Sequence, residues 1–135
     1  MASIHRETLI DASPDDVWDA LRDVGAVHRR LAPGFVTDVK LEPGARVVTF
    51  GTGQVLRELI IDVDEQSRRV AWAAVDGPMS HYNASAQVFA VEGGRTRFVW
   101  IADLLPHEMA PAITAMIEQG IATIKRTLER ADGRG

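Results

Sequence analysis

One long amphipathic helical pattern at the C-terminal end constrains the fold of this chain more than any other feature. Apolar residues recur there at intervals of three and four, which is the spacing of one helix face. They are Met109, Ile113, Met116, Ile117, Gly120, Ile121, Ile124 and Leu128. The pattern predicts a helix that begins between His107 and Pro111, ends near Arg130 and is about 30 Å long. Such a helix must bury its apolar stripe against another layer.

Short runs rich in Val, Ile, Phe, Thr and Trp precede this helix and predict that the second layer is a sheet. The predicted strands cover residues 4–10, 35–41, 46–50, 54–63, 69–75, 81–91 and 96–104. Turn residues such as Pro43-Gly44 and Gly93-Gly94 join the last six by short connections, which are typical of an antiparallel meander.

Two short helices are predicted between the first strand and the other six. Ser13 suits the N-cap and Pro14 the first helical position of a helix that ends near Gly25. A second, shorter helix is expected over residues 27–31. The fold class is therefore α+β, with a curved antiparallel sheet of about seven strands around the long C-terminal helix.

Composition limits the function classes. The 135 residues fit one domain, with residues 1–131 folded and 132–135 as a flexible tail. The chain has no cysteine, which excludes disulfides and thiol chemistry. Its net charge is -4 and its basic residues are scattered, so we expect no nucleic-acid partner. No run approaches about 18 apolar residues and no signal core follows the N-terminus, so we expect a cytoplasmic protein without stable membrane insertion.

Metal and redox chemistry have no support in the sequence. The four histidines do not pair at the spacing of metal ligands. The glycines of Gly51-Thr52-Gly53 lack the later residues of a nucleotide-binding loop, and a hairpin turn explains them. There is no Gly-x-Ser-x-Gly nucleophile motif. We therefore expect no metal and no cofactor.

Several segments, taken in order, resemble one known superfamily. They are 10–18, with its Ala-x-Pro and following Trp18; 44–46 with 56–58; 75–78 with 82–84; 96–100; and 119–125. Together they resemble the START-like, Bet v 1-like superfamily (SRPBCC) in its bacterial polyketide cyclase/dehydratase-like branch. The resemblance covers nearly the whole chain and implies a helix-grip fold with an apolar cavity between sheet and helix.

Residues two apart share a face of a strand, so alternation predicts which side chains face that cavity. The inward placement of Glu58 and Tyr82 is implied by the resemblance, and that of the others by the pattern. The expected ligand-binding residues are Val48, Phe50, Leu56, Glu58, Ile60, Trp72, Tyr82, Ala84, Phe98, Trp100, Met116, Ile117, Gly120 and Ile121. The alternative is a core that these side chains fill completely.

Three polar residues are the candidates for chemistry. Glu58 interrupts an apolar run, and a buried carboxylate is costly unless it is paired. The resemblance implies that Arg46 also faces the pocket, so we hypothesise that Arg46 and Glu58 interact there and orient a polar ligand group. Tyr82 is the only tyrosine, and its hydroxyl suits a ligand carbonyl. Alternatively, Arg46 and Glu58 face solvent and Tyr82 bonds to the backbone.

Three functions remain open. The favoured one is the binding of a small hydrophobic or aromatic molecule of the polyketide, lipid or isoprenoid class. The second is a cyclase/dehydratase-like enzyme with Arg46, Glu58 and Tyr82 as catalytic residues. The third is a protein-interaction module. The chain is expected to be a monomer, or a homodimer if a strand near Ile4 or Val36 is an exposed edge.

Overall fold

The computed structural model describes residues 2–132 and contains seven strands, two α-helices and three short helical turns. The strands are β1 (Ala2–Ile10), β2 (Val36–Glu42), β3 (Ala45–Phe50), β4 (Val55–Asp64), β5 (Arg69–Val75), β6 (His81–Val91) and β7 (Arg95–Leu105). The helices are α1 (Pro14–Leu21) and α2 (Ala110–Asp132). One π-helical turn covers Val27–Leu31, and 3₁₀ turns cover Glu92–Gly94 and His107–Met109. This architecture confirms the predicted helix-grip fold.

The strands form one antiparallel sheet in the order β1-β7-β6-β5-β4-β3-β2. Register shifts occur between Val36 and Asp38 and between Ile60 and Asp62. Such irregularities bend a strand and increase its twist, which helps the sheet to curve. The strands that contain Ile4 and Val36 both lie at the edges of the sheet, while dimerisation through either edge stays a prediction.

Local sequence explains how α1 begins and ends. The Ser13 hydroxyl accepts a hydrogen bond of 3.1 Å from the Asp16 amide, and Pro14 occupies the first turn. The helix ends at Leu21, whereas the sequence predicted an end near Gly25. The Val24 amide bonds instead to the Arg22 carbonyl, so the backbone turns before Gly25. The π-helical turn that follows corresponds to the second predicted helix.

The long helix α2 packs on β1 and β7 and carries much of the core. Ile117, Ile124 and Leu128 are buried on it, as the apolar periodicity predicts. Within residues 2–132, no helix is long and apolar enough to cross a membrane. The predicted flexible tail begins at Asp132, which is the last residue of α2, and residues 133–135 lie outside the described part.

Candidate functional site

A cavity of about 650 Å³ lies between the concave face of the sheet and α2. Most of its wall is apolar, and two charged residues, Arg46 and Glu58, are among the residues that line it. The sheet contributes side chains from β3, β4, β5, β6 and β7, while the turn after α1 and the first half of α2 close the other sides. The helix therefore covers the sheet without filling the space beneath it.

Several residues that line the cavity also reach the surface. Gly51, Thr52 and Gln54 in the β3–β4 connection both line the cavity and are exposed. Pro78 in the β5–β6 connection and Ala115 on α2 share both properties. Because several cavity-lining residues are exposed, the cavity is not sealed from solvent.

A buried ion pair lies in the cavity wall. Arg46 on β3 and Glu58 on β4 are direct partners across the two strands, and they are 6% and 5% exposed. The distance from Arg46 Nε to Glu58 Oε1 is 2.9 Å. Arg46 Nη1 also donates to the Val24 carbonyl at 3.1 Å, and the guanidinium lies 5.4 Å from the centre of the Trp72 ring. These contacts from three sides hold the arginine in place.

The pair gives Glu58 unusual acid–base properties. Burial raises the pKa of the Glu58 carboxyl above its ordinary value of 4.5, because the charged form loses hydration. The charge and hydrogen bond of Arg46 oppose this rise only in part. A carboxylate with a raised pKa is a stronger proton acceptor than an exposed one.

Tyr82 on β6 is buried and lines the cavity. Burial raises the pKa of its hydroxyl far above the ordinary 10.0, and the negative charge of Glu58 adds to the rise. The Trp100 indole N–H lies close enough to oppose this rise slightly, yet it makes no well-formed hydrogen bond with any described residue. Tyr82 therefore stays protonated and is a hydrogen-bond donor in the cavity wall.

Many of the predicted ligand-binding residues surround the cavity. Those that line it are Val48, Phe50, Leu56, Glu58, Trp72, Tyr82, Phe98, Trp100 and Met116, and the catalytic candidate Arg46 lines it as well. They come from five strands and the long helix, so the structure brings together residues that are far apart in the chain. Strand alternation placed the apolar residues of the strands on this face, because side chains two residues apart point the same way, while the family resemblance implied the placement of Arg46, Glu58 and Tyr82.

Five residues of the predicted set do not line the cavity. Ile117 and Ile121 belong to the packed core. Gly120 is held close to two rings, since a Cβ atom built on it would lie 2.9 Å from both Phe35 Cε2 and Trp100 Cζ3. The others are Ile60, next to the β4 irregularity, and Ala84, whose short side chain is buried between its strand partners Trp72 and Ala102.

The sequence pattern already places Val70 and Ala86 on the inward face of the sheet and Met109, Ile113 and Ile124 on the apolar stripe of α2, although the predicted ligand-binding set leaves them out. In all, several lining residues are absent from that set. They are Leu21, Val27, Leu31, Ala32 and Phe35 from the segment after β1, and Val70, Pro78, Met79, Ala86, Met109, Ala112, Ile113, Ala115, Gln119 and Ile124 from elsewhere, together with Gly34, Val36, Gly51, Thr52 and Gln54. Val27 and Leu31 have the four-residue spacing of one helix face, which could have marked them as inward. The packing of this segment over the sheet is a tertiary feature that local pattern does not reveal.

The described residues hold no group suited to a metal. Within residues 2–132, no three side chains of His, Asp or Glu are close enough together to bind an ion. The buried chemistry that the site offers is therefore built from one carboxylate, one guanidinium, one phenol and two indoles in a mainly apolar wall, with the exposed Thr52, Gln54 and Gln119 also lining the cavity.

A curved sheet that grips one long helix over a cavity defines the START-like, Bet v 1-like class of helix-grip proteins. Within this class, the chain belongs to the family described as polyketide cyclase/dehydrase and lipid transport, whose model matches residues 1–129. No curated protein matches the sequence significantly.

Solved structures show the same fold. The protein XoxI from Bacillus cereus superposes with a TM-score of 0.85 at 17% identity, covering 95% of this chain and 96% of that one. The di-domain aromatase/cyclase BexL of the BE-7585A biosynthetic pathway has a TM-score of 0.83 at 16% identity, with 96% of this chain and 47% of that chain covered. Norcoclaurine synthase from Thalictrum flavum has a TM-score of 0.73 at 20% identity, with coverages of 96% and 85%.

Proposed function

We propose that this protein binds one small, largely apolar molecule in the cavity beneath α2. The observation that carries the proposal is the cavity volume of about 650 Å³, enclosed mainly by apolar side chains. Ligand pockets in proteins typically measure about 300–1,000 Å³ and combine apolar walls with a few polar groups. A cavity of this size is inconsistent with a completely filled core. A filled core is the interior that we expect of a module that only binds other proteins.

The polar groups support a ligand that carries an oxygen function. The same cavity is lined by Arg46, Glu58 and Tyr82, so a bound ligand would contact these three polar side chains within an otherwise apolar wall. The family description names polyketide and lipid chemistry, and a structural neighbour is an aromatase/cyclase. We therefore assign the ligand to the polyketide, lipid or isoprenoid class, with an aromatic or cyclic body.

Stability does not explain the buried ion pair. Replacing a buried pair with apolar residues of similar volume is often neutral or stabilising by about 1–4 kcal/mol. Arg46 and Glu58 are both nearly inaccessible and lie in an otherwise apolar wall. The ion pair adds little to stability and lies where a ligand would bind. Its position therefore supports a role for Arg46 and Glu58 in ligand binding.

The fluorescence of 1-anilinonaphthalene-8-sulfonate, measured during titration with the protein, tests this proposal. Ala86 lines the cavity, so Ala86→Phe fills part of it and should weaken dye binding at least about tenfold. The matched control Ala122→Phe adds the same ring on the exposed side of α2 and should leave the affinity unchanged. Equal effects of the two substitutions, or no saturable dye binding by the wild type, would reject the internal site.

A second function, aldol-type cyclisation and dehydration, is favoured by the raised pKa of Glu58 beside a protonated Tyr82. Glu58 would accept an α-proton from a ligand ketone, and the resulting enolate carbon would form a bond to a second carbonyl carbon as the π bond of that carbonyl breaks. Tyr82 would donate a hydrogen bond to the developing alkoxide, which would take the proton back from Glu58 and become a hydroxyl group. In the dehydration, Glu58 would remove a second α-proton and pass it to the hydroxyl group, which leaves as water. Arg46 would hold Glu58 in position through the 2.9 Å contact.

The linear triketone 2,4,6-heptanetrione is a suitable probe of this second function, because its cyclisation and loss of water yield a dihydroxytoluene that absorbs in the ultraviolet. The wild type should accelerate product formation above the buffer rate, and Glu58→Gln should abolish the acceleration while dye binding persists. If the wild type and Glu58→Gln both follow the buffer rate while binding the dye, the protein is a binder without this activity.

A further inference from the structure

The methionines of this chain have an uneven distribution. Of the four, Met1 lies outside the described residues. The other three, Met79, Met109 and Met116, all line the cavity, and each is only partly buried. Within residues 2–132, no methionine is among the fully buried residues of the core. The flexible thioether side chains of the described chain are therefore confined to the cavity wall.

The three methionines come from segments outside the sheet. Met79 lies in the connection between β5 and β6, Met109 lies in the 3₁₀ turn before α2, and Met116 lies in the first half of α2. They therefore belong to the part of the cavity wall that the strands do not provide.

The part of the wall that the strands do provide is fixed. Arg46, Glu58 and Tyr82 lie on β3, β4 and β6, line the cavity and are all buried. Arg46 is held by its contact of 2.9 Å with Glu58. The rings of Trp72 and Trp100 pack edge to face, with their centres 6.1 Å apart. Side chains held in this way present one shape, and a set of polar groups at fixed positions, to a ligand.

The chemistry of methionine gives the other part of the wall a different property. The side chain is unbranched, has three rotatable bonds and ends in a polarizable thioether, so it adapts to apolar surfaces of different shape. Proteins use methionine in this way on surfaces that bind several partners. Because the three side chains are only partly buried, they can change rotamer without displacing a fully packed core.

We propose that Met79, Met109 and Met116 determine the specificity of the cavity by adapting to the apolar part of the ligand. The sheet side recognises a polar end at a fixed place, while the methionines accept tails of different shape. The protein consequently binds a class of molecules that share a polar ring and differ in their alkyl part. This inference rests on the proposed function and names the part of the ligand that is free to vary.

The test uses two isomeric probes, octyl 4-hydroxybenzoate and 2-ethylhexyl 4-hydroxybenzoate, which differ only in the branching of the tail. Their competition with the anilinonaphthalene dye gives both affinities. The wild type should bind the two isomers within about threefold of each other, since an adaptable wall fits either tail. The triple variant Met79→Leu, Met109→Leu, Met116→Leu keeps the side-chain volume but is stiffer. It should separate the isomers by about tenfold or more, the usual effect of one misplaced methylene in a stiff apolar pocket.

The matched control is Ile117→Leu with Ile121→Leu, because both residues belong to the packed core of α2 and do not line the cavity. This control should leave the ratio of the two affinities unchanged. A wild type that separates the isomers tenfold would overturn the proposal, and so would a triple variant that binds both alike. A control that separates them as strongly as the triple variant would overturn it too. If urea denaturation shows that the triple variant is unfolded, the three single variants replace it, and three unchanged ratios would overturn the proposal.

NMR of protein labelled with ¹³C at the methionine methyl groups separates this inference from the proposed function. The single leucine variants assign the resonances. Both esters should shift the resonances of Met79, Met109 and Met116, and the two isomers should shift them to different positions. If the esters bind saturably but none of the three resonances moves, the inference fails while the proposed function stands. If neither the esters nor the dye bind, the two fail together.

Discussion

The two ends of the interior differ in how well their groups are satisfied. At the packed end, β1, β7 and the C-terminal part of α2 meet around Ile10, Thr96 and Leu128, which are buried, and the Thr96 hydroxyl has its acceptor. At the cavity end, a buried ion pair and an unpaired indole line open space. The first end has the features that stability requires, and the second carries costs that stability does not explain. This contrast locates function at the cavity end.

The largest effect is expected from removing one partner of the ion pair. Arg46→Met leaves the Glu58 carboxyl buried without its cation and should lower the free energy of unfolding by about 3–5 kcal/mol. Arg46→Met combined with Glu58→Leu should recover most of this loss, because an apolar pair fits the wall. Urea denaturation measures both. If the double variant is as unstable as the single one, the pair is structural and the contrast between the two ends weakens.

Truncating neighbouring residues of α2 compares a packed side chain with a cavity-lining one directly. Ile117→Ala should cost about 2–5 kcal/mol of unfolding free energy, since Ile117 is fully buried and does not line the cavity. Met116→Ala faces the cavity and is half-buried, so it should cost less and change dye affinity more. Denaturation and dye titration of both variants check this. The reverse pattern would show that the helix faces are assigned the wrong way round.

Much of this architecture could be predicted from the sequence because it depends on local pattern. Period-two alternation predicted which side chains of β3–β7 share a face, and the three-to-four spacing predicted the stripe of α2. The inward placement of Arg46, Glu58 and Tyr82, and with it the Arg46–Glu58 contact, was implied by the family resemblance. The sequence could not predict which inward residues line the cavity, because the same apolar stripe of α2 both packs in the core and lines the cavity.

The features of the site that the sequence did not predict depend on tertiary packing, which no local pattern encodes. Phe35 closes the cavity because the segment after α1 folds over the sheet, and this placement rests on contacts distant in sequence. The Val24 carbonyl reaches Arg46 for the same reason. The unpaired Trp100 indole is visible only when the surrounding atoms are known. Sequence predicted the face of the site, whereas its boundaries and unsatisfied groups needed the structure.

The pH dependence of stability gives a smaller effect with a defined sign. Burial raises the pKa of Glu58, so between 4.5 and that raised pKa the folded state binds more protons than the unfolded state. Stability contributed through Glu58 must then fall as pH rises through this window. Lowering the pH from 7 toward 4.5 should stabilise the wild type relative to Glu58→Gln. A difference that is constant with pH would mean that this carboxyl is not desolvated.

The smallest change in stability is expected at the boundary between the two ends. In Gly120→Ala the new methyl group would meet the rings of Phe35 and Trp100, so one of them must move toward the cavity. The better helix propensity of alanine, about 1 kcal/mol, offsets much of the strain. We expect a change in unfolding free energy within about 1 kcal/mol but a several-fold loss of dye affinity. An unaltered affinity would show that these rings do not shape the cavity.

Diffraction from crystals of the protein under xenon pressure tests the central claim most directly, because xenon enters apolar cavities and is visible as strong density. The account predicts xenon density between the Trp72 and Phe98 side chains and α2, inside a space of about 650 Å³. An interior without xenon, in which α2 and the side chains of the sheet have closed together, would contradict it.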